Sequence, residues 1–382
     1  MSKNRKQYRL RFLPLTPIHI GTGDEIDPLE YVMKAKPDGG KRLYRLNLPA
    51  MIESFTPSKR EEFLRILDGG DMMRLRDFVK RNADVSQHGF YNAVTTDSVY
   101  YTYEKSHSNP NNALRINPTY RRLDTWQAVV PGSSIKGAIR TAVLSHKLRI
   151  DYERGGRLPD ERNLEKDVFH APLPNDDPFR TVHIEDVTLP EDAVIVAETE
   201  IISQRTANND STTEGIQMFY EMTFAHLMQE EIAGTGSLIL LPGLQREYNK
   251  LNENQNTMLK IDAETIVAHC KEFYCSWMKE EHKKFYEKRK NEEVYTVSKQ
   301  LLDISYGNLE FPIRLGHFSH CESVTVDLIL NPADTVRKQR KEFRNPKTRT
   351  VNGRSLPYGT TRTLAFGEFP MGWAKISLEE MG

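Results

Sequence analysis

Three stretches of this chain hold residue types that could do chemistry. In VPGSSIKGAIR, Val130–Arg140, a Pro-Gly, two serines, a lysine and an arginine stand at what reads as the start of a helix. Gly132 and Gly137 have the separation of a Walker phosphate loop. Ala138 and Ile139, however, stand where that loop needs lysine and a hydroxyl residue, so nothing would reach β/γ-phosphates or hold Mg²⁺. Two readings stay open. A helix N-terminus offers unpaired N–H groups and partial positive charge, and with Ser133, Ser134, Lys136 and Arg140 it could grip a phosphate chain. Alternatively, Ser133 or Ser134 only caps an amphipathic helix. Its buried stripe would be Ile135, Ile139, Ala142, Val143 and Leu148, with Lys136, Arg140 and Lys147 on a face outside it.

The second stretch is TPIHIGTGDE, where Gly21 and Gly23 permit a tight turn and close backbone approach. Ile26 stands where a dinucleotide fingerprint needs its third glycine, which removes that reading. His19 could act as a general base on an RNA 2′-hydroxyl, its ordinary pKa lying near neutrality. It equally suits a strand-end histidine that orients the turn. The third stretch is basic: Arg337, Lys338, Arg340, Lys341, Arg344, Lys347 and Arg349 are opposed only by Glu342. Such a cluster grips phosphates if it faces a groove and is a solvated loop otherwise. Tyr358, Phe366, Phe369 and Trp373 follow it, placed either to stack bases or to close the core.

HFSHC (His317–Cys321) and HIED (His183–Asp186) could each give two or three metal ligands, but no second half stands at a zinc-like spacing. No G-x-S-x-G elbow occurs. Neither a metal nor a cofactor is expected.

The elements that must position these residues follow from periodicity. Tyr8, Leu10 and Phe12 alternate with Arg9 and Arg11, as in a half-buried strand. Leu43–Leu48, TVHIEDVTL, AVIVAETEI and the cleanly alternating Ser323–Leu330 read as further strands. SKREEFLRIL reads as a helix capped by Ser58. Asp262 to about Lys290 is the longest helical pattern, with Ile266, Cys270, Phe273, Trp277 and Phe285 on one side. Residues 82–125 show little helical period, and KSHSNPNNALRINPTYRR reads as an exposed loop. Strands interleaved with helices predict an α+β fold.

Size and charge bound the function. With 382 residues the chain has room for two or three domains, and 53 basic side chains balance 53 acidic ones. A zero net charge argues against a coat for indiscriminate DNA or membrane binding, so any polyanion site must be local. Three cysteines, Cys270, Cys275 and Cys321, form no C-x-x-C pair and suit a reducing compartment. The basic N-terminus lacks the apolar run of a signal peptide, and no apolar stretch is long enough to span a bilayer. A cytoplasmic protein with no membrane partner is expected.

Taken in order, LTPIHIGTGDE, VPGSSIKGAIRTAVL and GEFPMGWAKI resemble the RAMP superfamily of CRISPR RNA-binding subunits. They look most like the subunit that caps the backbone filament of type III-A Csm effector complexes near the guide's 3′ side. The resemblance implies two ferredoxin-like (RRM-like) domains with helical and loop insertions, taken as 1–190 and 191–382, with a helical insertion around 262–290. It implies that Ser133, Ser134, Lys136 and Arg140 lie along the guide RNA (crRNA) backbone near His19 and the Gly21–Gly23 turn. Gly367 to Trp373 would pack against the same region, and Lys347, Arg349 and Trp373 would join the RNA contacts. Backbone members of the family cut target RNA with an aspartate after the first strand, where Asp24 and Asp27 lie here, whereas the cap subunit is expected to be non-catalytic. Expected partners are crRNA and the neighbouring backbone subunit, with the small helical subunit and a host nuclease as further ones. An RNA-processing endonuclease using His19, with Lys136 or Arg140 holding transition-state charge, and a protein-only scaffold are the alternatives.

Overall fold

The alternation at the N-terminus builds the centre of the first of two sheets. In the Lys6–Pro14 strand, Tyr8, Leu10 and Phe12 point into the core while Arg9 and Arg11 stay in solvent. Each fully buried apolar side chain of this kind contributes about 1.5–3 kcal/mol. The computed structural model describes residues 5–106, 114–153, 164–169, 171, 174–203, 218–230, 232–241, 261–324, 326, 349–351, 354–356 and 361–381. Among them, the first sheet runs Glu310–Arg314, Trp373–Met381, Lys6–Pro14, Gly234–Leu240, Val187–Thr188, Val129–Val130, with Val182–Ile184 also on the Gly234–Leu240 strand. Every pairing is antiparallel, and Leu10 faces Gly236 on one side and Leu378 on the other.

Two helices pack on each other and against this sheet. Gly132–Glu153 lies against Val182–Ile184, and Ala263–Glu281 against Glu310–Arg314. The predicted stripe of the first, Ile135 through Leu148, is buried, as are Ile266, Cys270, Phe273 and Trp277 of the second. The Tyr274 hydroxyl donates to the Ala138 carbonyl at 3.1 Å and so ties the helices together. Asp262 caps the second helix in a reciprocal box with Thr265. That helix ends at Glu281 and passes into a π-turn, His282–Tyr286.

The second sheet runs Phe369–Pro370, Thr361–Ala365, Val194–Ser203, Gly89–Thr95, Lys41–Leu46, Tyr31–Ala35, with Phe219–Thr223 on Val194–Ser203 and Ile116–Asn117 beyond it. Between Lys41–Leu46 and Gly89–Thr95 the chain makes helices Leu48–Glu53, Pro57–Asp68 and Met72–Asn82. They enclose their own small core, with Phe55, Phe63 and Phe78 ring against ring. The cap of Pro57–Asp68 is Thr56 rather than Ser58, because Pro57 takes the first helical position.

The architecture is α+β, as expected, but the boundary at residue 190 does not separate the sheets. Each sheet takes strands from both sides of it, since the central Lys6–Pro14 strand needs Gly234–Leu240 and Trp373–Met381 as neighbours. Two expectations are corrected. Residues 82–125 include the Gly89–Thr95 strand and the Asp97–Ser106 helix; in the helix the buried residues are Val99 and Tyr103, too few to leave a visible period. Ser323 closes a helical turn, His320–Ser323, and apart from Val324 and Val326 the rest of the expected Ser323–Leu330 strand lies outside the described residues. No described helix is long and apolar enough to cross a membrane.

Candidate nucleic-acid interface

The Thr16–Ile20 segment leaves the first sheet and stitches into the second. Ile18 accepts from the Thr223 N–H (2.9 Å) and donates to Thr223 Oγ1 (3.1 Å), while Pro17 accepts from Gly372 and Thr16 Oγ1 from Trp373. His19 is thereby fixed in a buried position, 4% exposed, with Nδ1 2.7 Å from the Glu221 carbonyl. Burial pushes its pKa down, against the pull of that hydrogen bond, and His317 lowers it further. The turn beyond it is exposed. Gly23 has φ +89°, a conformation that L side chains rarely adopt, and Gly21 bridges to Thr119. Asp24 is exposed, and Asp27 holds its own turn by accepting from the Leu29 N–H.

The long helix begins differently from the sequence reading. The Gly132 N–H donates to Asp186 Oδ1 at 2.8 Å, so the cap comes from HIED and neither serine supplies it. A Cβ on Gly132 would collide with the Ile184 carbonyl, which makes glycine the residue that lets the two segments close. Ser133 is exposed and Ser134 half-buried. Arg140 is not a free cation. Its guanidinium donates to both oxygens of Asp177 (2.8 Å) and to Glu165 (2.8 and 2.9 Å), over the rings of Phe169 and Phe179. Lys147 is buried, so the expected three-cation face does not exist. Lys136 makes no ion pair among the described residues. Burial lowers its pKa, Asp177 opposes this and Arg140 adds to it.

Ser134, Gly137 and Thr141 recur at helical spacing and line one wall of a groove of about 390 Å³; Arg314, Gly316 and Ser319 line the other. At Gly137 a Cβ would meet nothing within 4 Å. Gly316 has φ +91°, and a Cβ there would collide with the His19 carbonyl, which accepts from the His317 N–H at 2.9 Å. Leu315 in turn donates to the Gly372 carbonyl at 2.8 Å. The groove thus lies between the long helix and the Arg314–Ser319 segment, which is backed by the His19 and Gly372 carbonyls; Gly21, Gly23 and Gly367–Trp373 do not line it. Gly316 and Ser319 went unnoticed in the sequence; the lone glycine ending EFPIRLG was the signal that could have found them.

Trp373 is not available to a base. It is fully buried, its Nε1–H donates to Glu281 Oε2 at 3.3 Å, and Arg314 lies 4.9 Å from its ring centroid. A ring with no exposed face cannot stack on a ligand, so the expected contact is corrected to a structural one. Glu281 also accepts from Arg314 (2.7 Å) and Arg362 (2.5 Å), and Arg362 reaches Glu322 at 3.2 Å. Burial alone would raise the Glu281 carboxyl, but the two arginines and His320 hold it down at about 2. This clamp braces the Arg314 wall of the groove. Lys347 lies outside the described residues, and Arg349 belongs to the short Arg349–Val351 strand. No cluster of three or more metal-ligating side chains occurs among the described residues.

The chain is 32% identical over 178 residues to the CRISPR system Cms protein Csm5 of Streptococcus thermophilus; the match spans 43% of this chain and 46% of that relative. In structure it is similar to a chain in the cryo-EM structure of a Csm–crRNA–target RNA ternary complex of a type III-A CRISPR-Cas system. That likeness has a TM-score of 0.64 at 19% identity and covers 97% of this chain and 100% of that one. It is also similar to the crystal structure of T. onnurineus Csm5, with a TM-score of 0.58 at 16% identity, over 95% and 99% of the two chains. The RAMP superfamily profile matches residues 11–319, from the central strand through the Gly316–Ser319 wall of the groove, and the chain belongs to that superfamily.

Proposed function

We propose that this protein is a non-catalytic crRNA-binding subunit of a type III-A Csm effector complex, capping the backbone filament near the guide's 3′ end. In this reading it is cytoplasmic, contacts the neighbouring RAMP backbone subunit, and supports guide maturation and antiviral defence. The small helical subunit and a host nuclease are its further partners. The two ferredoxin-like units, taken as 1–190 and 191–382, then interleave, each contributing strands to both sheets.

The observation that carries the reading is the groove between the long helix, where Ser134 and Gly137 stand beside Arg140 and Glu165, and the Arg314–Ser319 segment. A sugar-phosphate strand needs such close approach and takes hydroxyl donors besides cations; the Thr141 and Ser319 hydroxyls already donate to the Gly137 and Gly316 carbonyls, which leaves that of Ser134. Support comes from the partial match to Csm5 and from the full-length likeness to a chain of a complex that carries crRNA. Gly137 provides the test. Its Cβ position is open, so Gly137→Leu fits the helix and fills the groove. Fluorescence anisotropy with labelled guide-length RNA should show binding to the wild type and at least a tenfold loss in the variant, with the melting temperature unchanged or raised. Equal affinities would remove the groove from the RNA path.

The endonuclease reading draws on the neutral imidazole of His19. Of its two candidate cations, Arg140 is already held by two carboxylates, which leaves Lys136. Site-specific cleavage of repeat RNA by pure protein, lost in His19→Ala, would restore it.

A further inference from the structure

The imidazole of His19 is almost wholly buried, yet only one of its nitrogens is engaged. A carbonyl oxygen can only accept, so the 2.7 Å contact to Glu221 requires the proton on Nδ1. Nε2 is left as a bare acceptor, and among the described residues nothing hydrogen-bonds to it. Nε2 is not itself sealed from solvent: it opens toward the exposed turn, where a water or a ligand can supply the donor.

The two glycines of the turn do different jobs around this atom. Gly23 adopts the left-handed conformation. Gly21 does not; its Cβ would lie 2.9 Å from Nε2, so its missing side chain keeps the nitrogen approachable from the exposed turn. The ring is held edge-to-face against Tyr220 (5.0 Å between centroids) and beside Phe318 and His317 (6.1 Å each), with His317 itself exposed. The His19 carbonyl lies against Gly316, which ties this position to the wall of the groove.

We propose that His19 is the residue by which this chain distinguishes ribose from deoxyribose, Nε2 accepting a hydrogen bond from a 2′-hydroxyl of the bound strand. The proposal rests on the RNA-groove reading above. A lone pair in a fixed direction selects a donor: phosphate oxygens carry no proton to give, and deoxyribose has no hydroxyl there. Base amino groups are also donors, but they occur alike in RNA and DNA.

The test uses the full chain with labelled RNA and DNA of the same guide-length sequence. His19→Phe keeps the aromatic packing and removes the acceptor, whereas Gly21→Ala keeps the imidazole and sets a methyl over Nε2. Each variant should weaken RNA binding about three- to tenfold and leave DNA binding unchanged, the size of one lost hydrogen bond. RNA and DNA affinities that fall together, or an RNA preference that survives both variants, would overturn this role while leaving the groove reading intact. A wild type that binds no RNA would overturn both. Cleavage of the RNA by the wild type, absent in His19→Phe, would replace the recognition role with that of a general base.

Discussion

Gly132 and Asp186, fifty-four residues apart, meet at the mouth of the long helix, where the Gly132 N–H donates to Asp186 Oδ1 at 2.8 Å. The partial positive charge of the helix is thereby met by a side chain of the protein, and a ligand has to approach the helix flank instead. Asp186→Ala should cost about 1 kcal/mol in urea denaturation, the usual value of a lost cap, and Asp186→Asn only a few tenths. An alanine variant as stable as the wild type would show that the contact does not cap the helix.

The Glu281 clamp ties one helix to three strands through two buried arginines and an indole. Arg314 and Arg362 both donate to Oε1, and Trp373 donates to Oε2. Removing the carboxylate strands two buried guanidinium groups, which costs about 3–5 kcal/mol. Glu281→Ala is therefore expected to lower the midpoint of denaturation more than Asp186→Ala does. Because Arg314 also walls the groove, RNA affinity should fall with it. Unchanged stability in Glu281→Ala would mean that the pairing contributes nothing.

The same carboxyl sets an acid limit. Burial would raise its pKa, but the arginines and His320 hold it at about 2 against an ordinary value of 4.5. With the folded pKa depressed, the unfolded chain binds the proton first as pH falls. The stabilisation is complete above about 4.5 and drains away between that value and about 2. Chemical denaturation across this window should give a steep loss of stability that Glu281→Gln flattens. A parallel slope in the variant would assign the acid sensitivity to other groups.

Local periodicity made half of this molecule legible and contact across the chain hid the rest. Tyr8, Leu10 and Phe12, the Ile135–Leu148 stripe and the Asp262-capped helix were readable because neighbours in sequence are neighbours on one face. Arg140 was misread as a free cation because Glu165 and Asp177, which hold it, lie 25 and 37 residues further on. Trp373 was misread for the same reason: Glu281 is 92 residues away. The turn glycines were noticed, but only coordinates separate Gly23, kept for its φ, from Gly21, kept for the space above Nε2.

Those pairings change what salt should do to RNA binding. Lys136 and Arg140 look equivalent in the sequence, yet only Lys136 lacks an ion pair among the described residues. If each phosphate neutralised adds about 0.7 to the slope of log affinity against log salt on a single strand, Lys136→Ala should reduce that slope by up to about 0.7. Arg140→Ala should leave the slope alone and lower stability instead, because it leaves Asp177 and Glu165 unpaired and uncovers Phe169 and Phe179. Binding titrations across a range of salt, with melting curves of both variants, separate the two effects. A slope that drops equally in both would return Arg140 to the RNA backbone, and would require its ion pairs to open when the strand arrives.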